Sequence, residues 1–243
     1  VDTKSFLQIF EQGSDVLATH RSSLLDLPIL GHIGPYGFIG LTLRIDEPYT
    51  PRIVMDVWCA IRTYPKHATE LGNPIPSEPV FFLKPTSSIS EFGTIDSCGG
   101  DVHHEIELVL KLGQNLEPTH MTIGLDLTKR SVQDHLKENS LPWAEAKAFC
   151  GSAVIGEWVD FNQNAEYTLN INGNMVQEGS LKEMSWNPVE LIEKLANWAP
   201  IGPGDILFTG TPSGVGPLNA GDELTASLYV DGKHILSHSA NCV

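Results

Sequence analysis

The chain has 243 residues, 41% of them hydrophobic, with 30 acidic against 15 basic side chains and a formal net charge of −15. That length gives room for one large domain or two small ones with ample core, while the acidic balance argues against unaided binding to nucleic-acid phosphates. No apolar run approaches the roughly 20 residues of a membrane-spanning helix, so neither nucleic acid nor membrane is expected as a partner.

Four scattered cysteines (Cys59, Cys98, Cys150, Cys242) form no C-x-x-C pair. They are expected as reduced thiols, which places the protein in the cytoplasm, or in the mitochondrial matrix if a transit peptide was removed. Glycines and prolines recur at turns through the second half and favour many short strands over a helical bundle.

Residues 1–52 offer short apolar pieces and turn chemistry at Gly34-Pro35-Tyr36-Gly37, but no recognisable site, and are expected to pack on a main domain of residues 53–243. From Ile53 to Ile61 the pattern is that of a nearly continuous apolar strand. Tyr64 to Gly72 suits a short helix, with Pro early and Gly just past its end. Its His67 and Glu70 are three apart and so neighbours on a turn, where a carboxylate can orient an imidazole as a general base. An ordinary surface pair would look the same. Glu78–Pro85 is expected as a buried strand ending at Lys84, and Ser87–Gly100 as loop.

The stretch Asp101-Val102-His103-His104-Glu105-Ile106-Glu107-Leu108-Val109-Leu110 carries the chemistry. It suits a buried strand, in which alternate side chains share a face, so Glu105 and Glu107 stand side by side with His103. Two neighbouring anions at the edge of a core need compensation, and a hard divalent cation with oxygen ligands is the simplest source of it. The plainer reading is a solvated edge strand.

Further on, an apolar turn over Met121–Leu125 leads to Asp126, where a third ligand can project; Thr128 is expected to cap a helix running through Lys137. Leu141–Phe149 suggests a second short helix carrying Lys147 with a packed stem. Tyr167–Gln177 has the alternation of a hairpin around Asn172-Gly173. Asn187-Pro188-Val189-Glu190 has the signature of a capped helix start, with Val189, Ile192, Leu195 and Ala196 as its core face. After a strand over Ile206–Thr209, the glycine-rich loop Gly210–Gly216 has backbone amides suited to cradling a carboxylate. It lacks the lysine and spacing of a P-loop.

Taken in order, E-P-V-F-F-L-K-P (78–85), H-E-I-E-L (104–108), L-D-L-T-K-R-S-V-Q (125–133), P-W-A-E-A-K-A-F (142–149) and L-F-T-G-T-P-S-G-V-G (207–216) resemble the fumarylacetoacetate hydrolase family, and within it the acylpyruvate hydrolases and oxaloacetate decarboxylases. The likeness runs from about Arg62 to the C-terminus. It implies a mixed α/β fold: a single domain built on a rolled, sandwich-like β structure with short flanking helices, assembled as a homodimer. By the same resemblance Glu105, Glu107 and Asp126 look like ligands of Mg²⁺ or Mn²⁺, with Ca²⁺ able to take the place in a crystal. His67 and Glu70 look like a catalytic dyad on a closing segment, and Lys147 like a catalytic cation. Arg62, Gln133 and Thr211 look like contacts to a small 2-oxo acid substrate.

The implied activity is hydrolysis of short 3-acylpyruvates, with oxaloacetate decarboxylation available to the same site. A 2-oxo-alkenoate hydratase and a non-catalytic homologue are the alternatives. The sequence departs from the family at Ile61-Arg62-Thr63-Tyr64, where relatives read G-R-N-Y; at Cys150; and at Arg130-Ser131-Val132-Gln133, where many relatives read R-D-x-Q.

Overall fold

The computed structural model describes residues 55–65 and 77–243. The expectations for residues 1–52 and for the segment bearing His67 and Glu70 lie outside the described residues. Within them the protein is mixed α/β with strands predominating. Eight strands, in the order Val80–Lys84, Val57–Ile61, Ile206–Phe208, Ile106–Leu112, Pro118–Asp126, Ala153–Ile155 and Ile89–Glu91, with Val159–Asp160 added to Pro118–Asp126, form a sheet that curls into a half-barrel. A second sheet has the order Asn174–Ser180, Ala165–Ile171, Glu223–Val230, Lys233–Cys242 and Thr94–Ile95. A small third sheet joins Gly216–Pro217, Val102–His104 and Thr128–Lys129. Among the described residues there are three α-helices, Arg130–Glu138, Ala144–Lys147 and Pro188–Ala196.

Strand alternation explains why the central strands are apolar on both faces. Trp58, Ala60, Leu108, Leu110 and Leu207 join the main core, against Tyr167, Leu169, Ala226 and Leu228 of the second sheet and Leu191, Ile192 and Leu195 of the last helix. Their sequence neighbours Val57, Cys59, Val109, Ile206 and Phe208 form a smaller cluster on the opposite face. A strand buried on both sides carries no polar face, as its near-continuous hydrophobic run shows.

Several local expectations need correcting. Val80–Lys84 is a strand but not a buried one: it is the sheet's edge, Val80 and Leu83 are 44% and 46% exposed, and only Lys84 is buried. The Ser87–Gly100 stretch contains two short strands and two 3₁₀ turns. Thr128 does not cap the following helix, whose N-cap is Lys129 without a side-chain bond. The capping box at Asn187 and Glu190 forms as expected. The core face of that helix is instead Pro188, Leu191, Ile192 and Leu195, with Val189 half exposed. The i, i+3, i+4, i+7 stripe therefore begins one residue earlier than the sequence suggested.

Candidate active site

The strand expected within Asp101–Leu110 is broken at its most informative residue. Val102–His104 pairs in the small sheet and Ile106–Leu112 in the large one, so Glu105 sits where the chain passes from one to the other. Pairing then sets the geometry. Glu107 lies opposite Gly124 in the antiparallel ladder, and the Asp126 amide donates to Glu105 O at 2.8 Å. Glu105 and Asp126 are thus cross-strand neighbours, with Glu107 diagonal to Asp126 on the same face. One oxygen from each of the three lies within 4.8 Å of the others, and all three residues are buried.

Three clustered anions would be prohibitively costly without countercharge. The Lys147 ammonium bridges Glu105 Oε2 (2.9 Å) and Asp126 Oδ2 (2.7 Å). Arg130 Nη2 donates to Glu105 Oε1 at 2.6 Å, and the Thr128 hydroxyl adds a bond to the same oxygen at 3.2 Å. Lys84, 1% exposed, places Nζ 2.8 Å from Asp126 Oδ1 as an ion pair and directs its three donors to the carbonyls of Lys147, Ser152 and Leu127. It thereby holds both Asp126 and the turn that carries Lys147.

The carboxylates are not compensated equally. Burial pushes the Glu105 carboxyl up, but Lys147 and Arg130 outweigh it and hold its pKa down at about 2. Glu107 goes the other way: burial, then Asp126 and Glu105, push its pKa well above the usual range, and the Gly210 amide offsets only part of that. For Lys147, burial alone would lower the pKa, but Asp126 and Glu105 prevail and raise it, so the ammonium stays charged. Among the described residues Glu107 accepts one hydrogen bond, from Gly210 N at 2.7 Å, and has no ion pair. Asp126 Oδ1 lacks a directed hydrogen bond despite the nearby Lys84. Buried, under-satisfied carboxylate oxygens facing one another form a donor set for a hard divalent cation. The three residues fit one.

Of the glycine-rich loop's amides, Gly210 N is the one that meets a carboxylate among the described residues, and that carboxylate is the protein's own Glu107. Gly210 has φ +97, and a Cβ there would stand 2.0 Å from Thr63 Oγ1, so only glycine permits this approach.

Of the other candidates, Arg62, Gln133 and Thr211 line the same cleft as Glu105, Glu107 and Lys147. Arg62 adopts a left-handed φ of 58. Gln133 Oε1 accepts from both Arg130 (2.7 Å) and Lys137 (3.0 Å), which leaves its amide hydrogens as the available donors. The Thr211 hydroxyl donates to Ile106 O at 2.9 Å. His67 and Glu70 lie outside the described residues. Sequence reasoning gave no site role to Lys84, Arg130, Lys137 or Gln177. For Lys84 one signal was available: a lysine ending an apolar strand just before proline must be either exposed or paired.

The sequence profile of the fumarylacetoacetate (FAA) hydrolase C-terminal family matches residues 56–239. Oxaloacetate tautomerase YcgM of Escherichia coli (strain K12) is 36% identical over 193 residues, covering 72% of this chain and 88% of that protein. Mitochondrial oxaloacetate decarboxylase of Dictyostelium discoideum is 35% identical over 187 residues, covering 69% and 85%. The crystal structure of fumarylpyruvate hydrolase from Pseudomonas aeruginosa, in complex with Mn²⁺ and pyruvate, superposes with a TM-score of 0.71 at 30% identity, covering 78% of this chain and 90% of that one.

Proposed function

The chain belongs to the fumarylacetoacetate hydrolase family, and from that premise we propose that it is a divalent-metal enzyme acting on short 2-oxo acids through their enol forms. The observation that carries the reading is the triad of Glu105, Glu107 and Asp126, buried together and rimmed by Lys147, Arg130 and Lys137. Mg²⁺ or Mn²⁺ held by those carboxylates would supply Lewis-acid polarisation of the 2-oxo group. The Mn²⁺–pyruvate complex of the Pseudomonas relative supports that choice of ion and ligand class.

The residues of the chain have separable tasks in this reading. Lys147 and Arg130 provide fixed positive charge where the substrate carboxylate and the developing enolate oxygen need it, a preorganised arrangement that costs no reorganisation during reaction. The free amide hydrogens of Gln133 and the Arg62 guanidinium orient the remaining oxygens. Glu107, apposed to the Gly210 amide, is kept in place before any ligand arrives.

Three outcomes are open to such a site: tautomerisation and decarboxylation of oxaloacetate, after the names of the relatives, and hydrolysis of acylpyruvates. Decarboxylation needs only an electron sink. Tautomerisation needs a proton moved on and off C3, and hydrolysis needs an activated water. For the last two we assign the base to His67, oriented by Glu70. We put oxaloacetate chemistry first and acylpyruvate hydrolysis second, the latter supported by the fumarylpyruvate hydrolase neighbour. The working unit is proposed to be a homodimer, checked by light scattering. We propose the cytoplasm or the mitochondrial matrix as its compartment.

The test is a panel of oxaloacetate, its enol form, acetylpyruvate and an unsaturated 2-oxo acid, with product identification, with and without Mg²⁺, in wild type and His67→Ala. General-base loss should lower tautomerisation and hydrolysis by about 10²- to 10⁴-fold, and decarboxylation far less. Equal losses in all three would remove His67 from the base role. Turnover that survives EDTA would overturn the metal reading, and turnover of the unsaturated acid alone would favour a hydratase.

A further inference from the structure

Gln177 was part of a hairpin in the sequence and is nowhere near the triad in the chain. It lies 2% exposed on the Asn174–Ser180 strand of the second sheet. Its carboxamide nevertheless spends its full bonding capacity on the two segments that build the site. Oε1 accepts from Ile106 N at 3.1 Å and from His104 Nδ1 at 2.8 Å. Nε2 donates to Thr211 Oγ1 at 2.9 Å and to Pro212 O at 3.0 Å.

The orientation is fixed by chemistry. A backbone N–H can only donate and a backbone carbonyl can only accept, so the atom facing Ile106 N must be oxygen and the atom facing Pro212 O must be nitrogen. His104 therefore carries its proton on Nδ1.

Ile106 is the residue between Glu105 and Glu107. Its N–H is held by Gln177, and its C=O by the Thr211 hydroxyl, which Gln177 itself orients. The two peptide planes that set the directions of Glu105 and Glu107 are thus locked by hydrogen bonds from outside their own strand pair. The same amide ties in the loop whose Gly210 amide binds Glu107. Four hydrogen bonds to a side chain with two acceptor and two donor positions leave nothing spare, and the loss of this one residue leaves buried partners unsatisfied on both segments.

We propose that Gln177 is a positioning residue for the acidic site: it clips the Glu105-Ile106-Glu107 segment to the glycine-rich loop and so sets the geometry of the ligand carboxylates. This rests on the divalent-metal reading above, and the test separates the two. The first measurement is titration with Mn²⁺ alone, followed calorimetrically, for wild type, Gln177→Met and Asn187→Ala. Loss of an outer support of a metal site typically costs 10- to 100-fold in affinity, and Gln177→Met should weaken Mn²⁺ binding by that factor. Asn187→Ala, which removes a remote helix cap, should lower the melting temperature while leaving the Mn²⁺ dissociation constant unchanged. A Gln177→Met constant within twofold of wild type would overturn the proposal.

The second measurement needs no metal. In the metal-free protein, Gln177→Met should speed amide exchange at Ile106 by tenfold or more without changing the Pro188–Ala196 helix. Gln177→Glu, which keeps both acceptor bonds and loses both donor bonds, guards against a Met variant that fails to fold. In it Ile106 should stay protected while exchange in the 210–216 loop accelerates. Unchanged exchange in both segments would remove the clip. If wild type binds no Mn²⁺, the metal reading falls and the exchange experiment still decides whether Gln177 holds the two segments.

Discussion

Glu105 and Glu107 are two residues apart and have opposite electrostatic fates. Glu105 is ion-paired twice, with Lys147 and Arg130, whereas Glu107 is buried against one backbone amide. Their neutral analogues should therefore separate stability from function. Removing one partner of a buried ion pair typically costs about 3–5 kcal/mol, so Glu105→Gln should lower the urea midpoint of the metal-free protein substantially. Glu107→Gln removes an anion that the fold does not pay to keep, and should leave that midpoint unchanged or raise it. Both should abolish turnover and weaken Mn²⁺ binding. A Glu107→Gln midpoint well below wild type in EDTA would show that Glu107 has a partner not accounted for. The E-x-E pair was legible in the sequence because alternation is a local rule. Its compensation was not, because Arg130 and Lys147 reach Glu105 from 25 and 42 residues further along the chain, while Lys84 holds the third carboxylate, Asp126, and only strand pairing brings them together.

At the level of elements, what is written locally was readable and what depends on neighbours was not. The Asn187–Glu190 box and the hairpin turn at Asn172-Gly173, with φ 52 and 78, need only a few adjacent residues. The edge position of Val80–Lys84 and the break at Glu105 depend on sheet order, which no short window contains. The closing turn offers a test of local wiring. Asp222 accepts from Asn219 N (2.8 Å) through Oδ2 and from the hairpin-turn Asn172 Nδ2 (2.8 Å) through Oδ1, and these bonds, the Asn219 amide first, lower its pKa. A carboxylate with a depressed folded pKa stabilises fully above its unfolded value of about 3.9, and that contribution fades as pH falls through the folded value. Asp222→Ala should therefore melt below wild type at pH 7, and the gap should narrow as pH is taken below about 4. A gap that persists unchanged at low pH would mean that the carboxylate charge plays no part in holding the turn.

At the scale of the whole molecule the four cysteines act as reporters of the proposed chemistry. All four are free thiols; Cys98 and Cys150 are exposed, Cys59 and Cys242 buried. Native protein should thus label two thiols quickly with a water-soluble reagent, and unfolded protein without reductant should label four. Cys59 is the informative one. It has no exposed surface, lies in an inner strand hydrogen-bonded on both sides, and belongs to the cluster with Val109 and Phe208 beneath the acidic site. It can be reached only when that sheet opens. Cys98, exposed in a 3₁₀ turn, is reached without any opening and serves as the control. A cation that binds only the folded protein suppresses global opening by the factor 1 + [M]/Kd, about 2.7 kcal/mol at a hundredfold excess over Kd. Mg²⁺ or Mn²⁺ at that excess should therefore slow Cys59 labelling about a hundredfold and leave Cys98 nearly unaffected, and Asp126→Asn should lose the Cys59 effect. Equal slowing of both thiols would point to a general salt effect. No slowing of Cys59, at concentrations where calorimetry registers binding, would place the bound ion away from Glu105, Glu107 and Asp126.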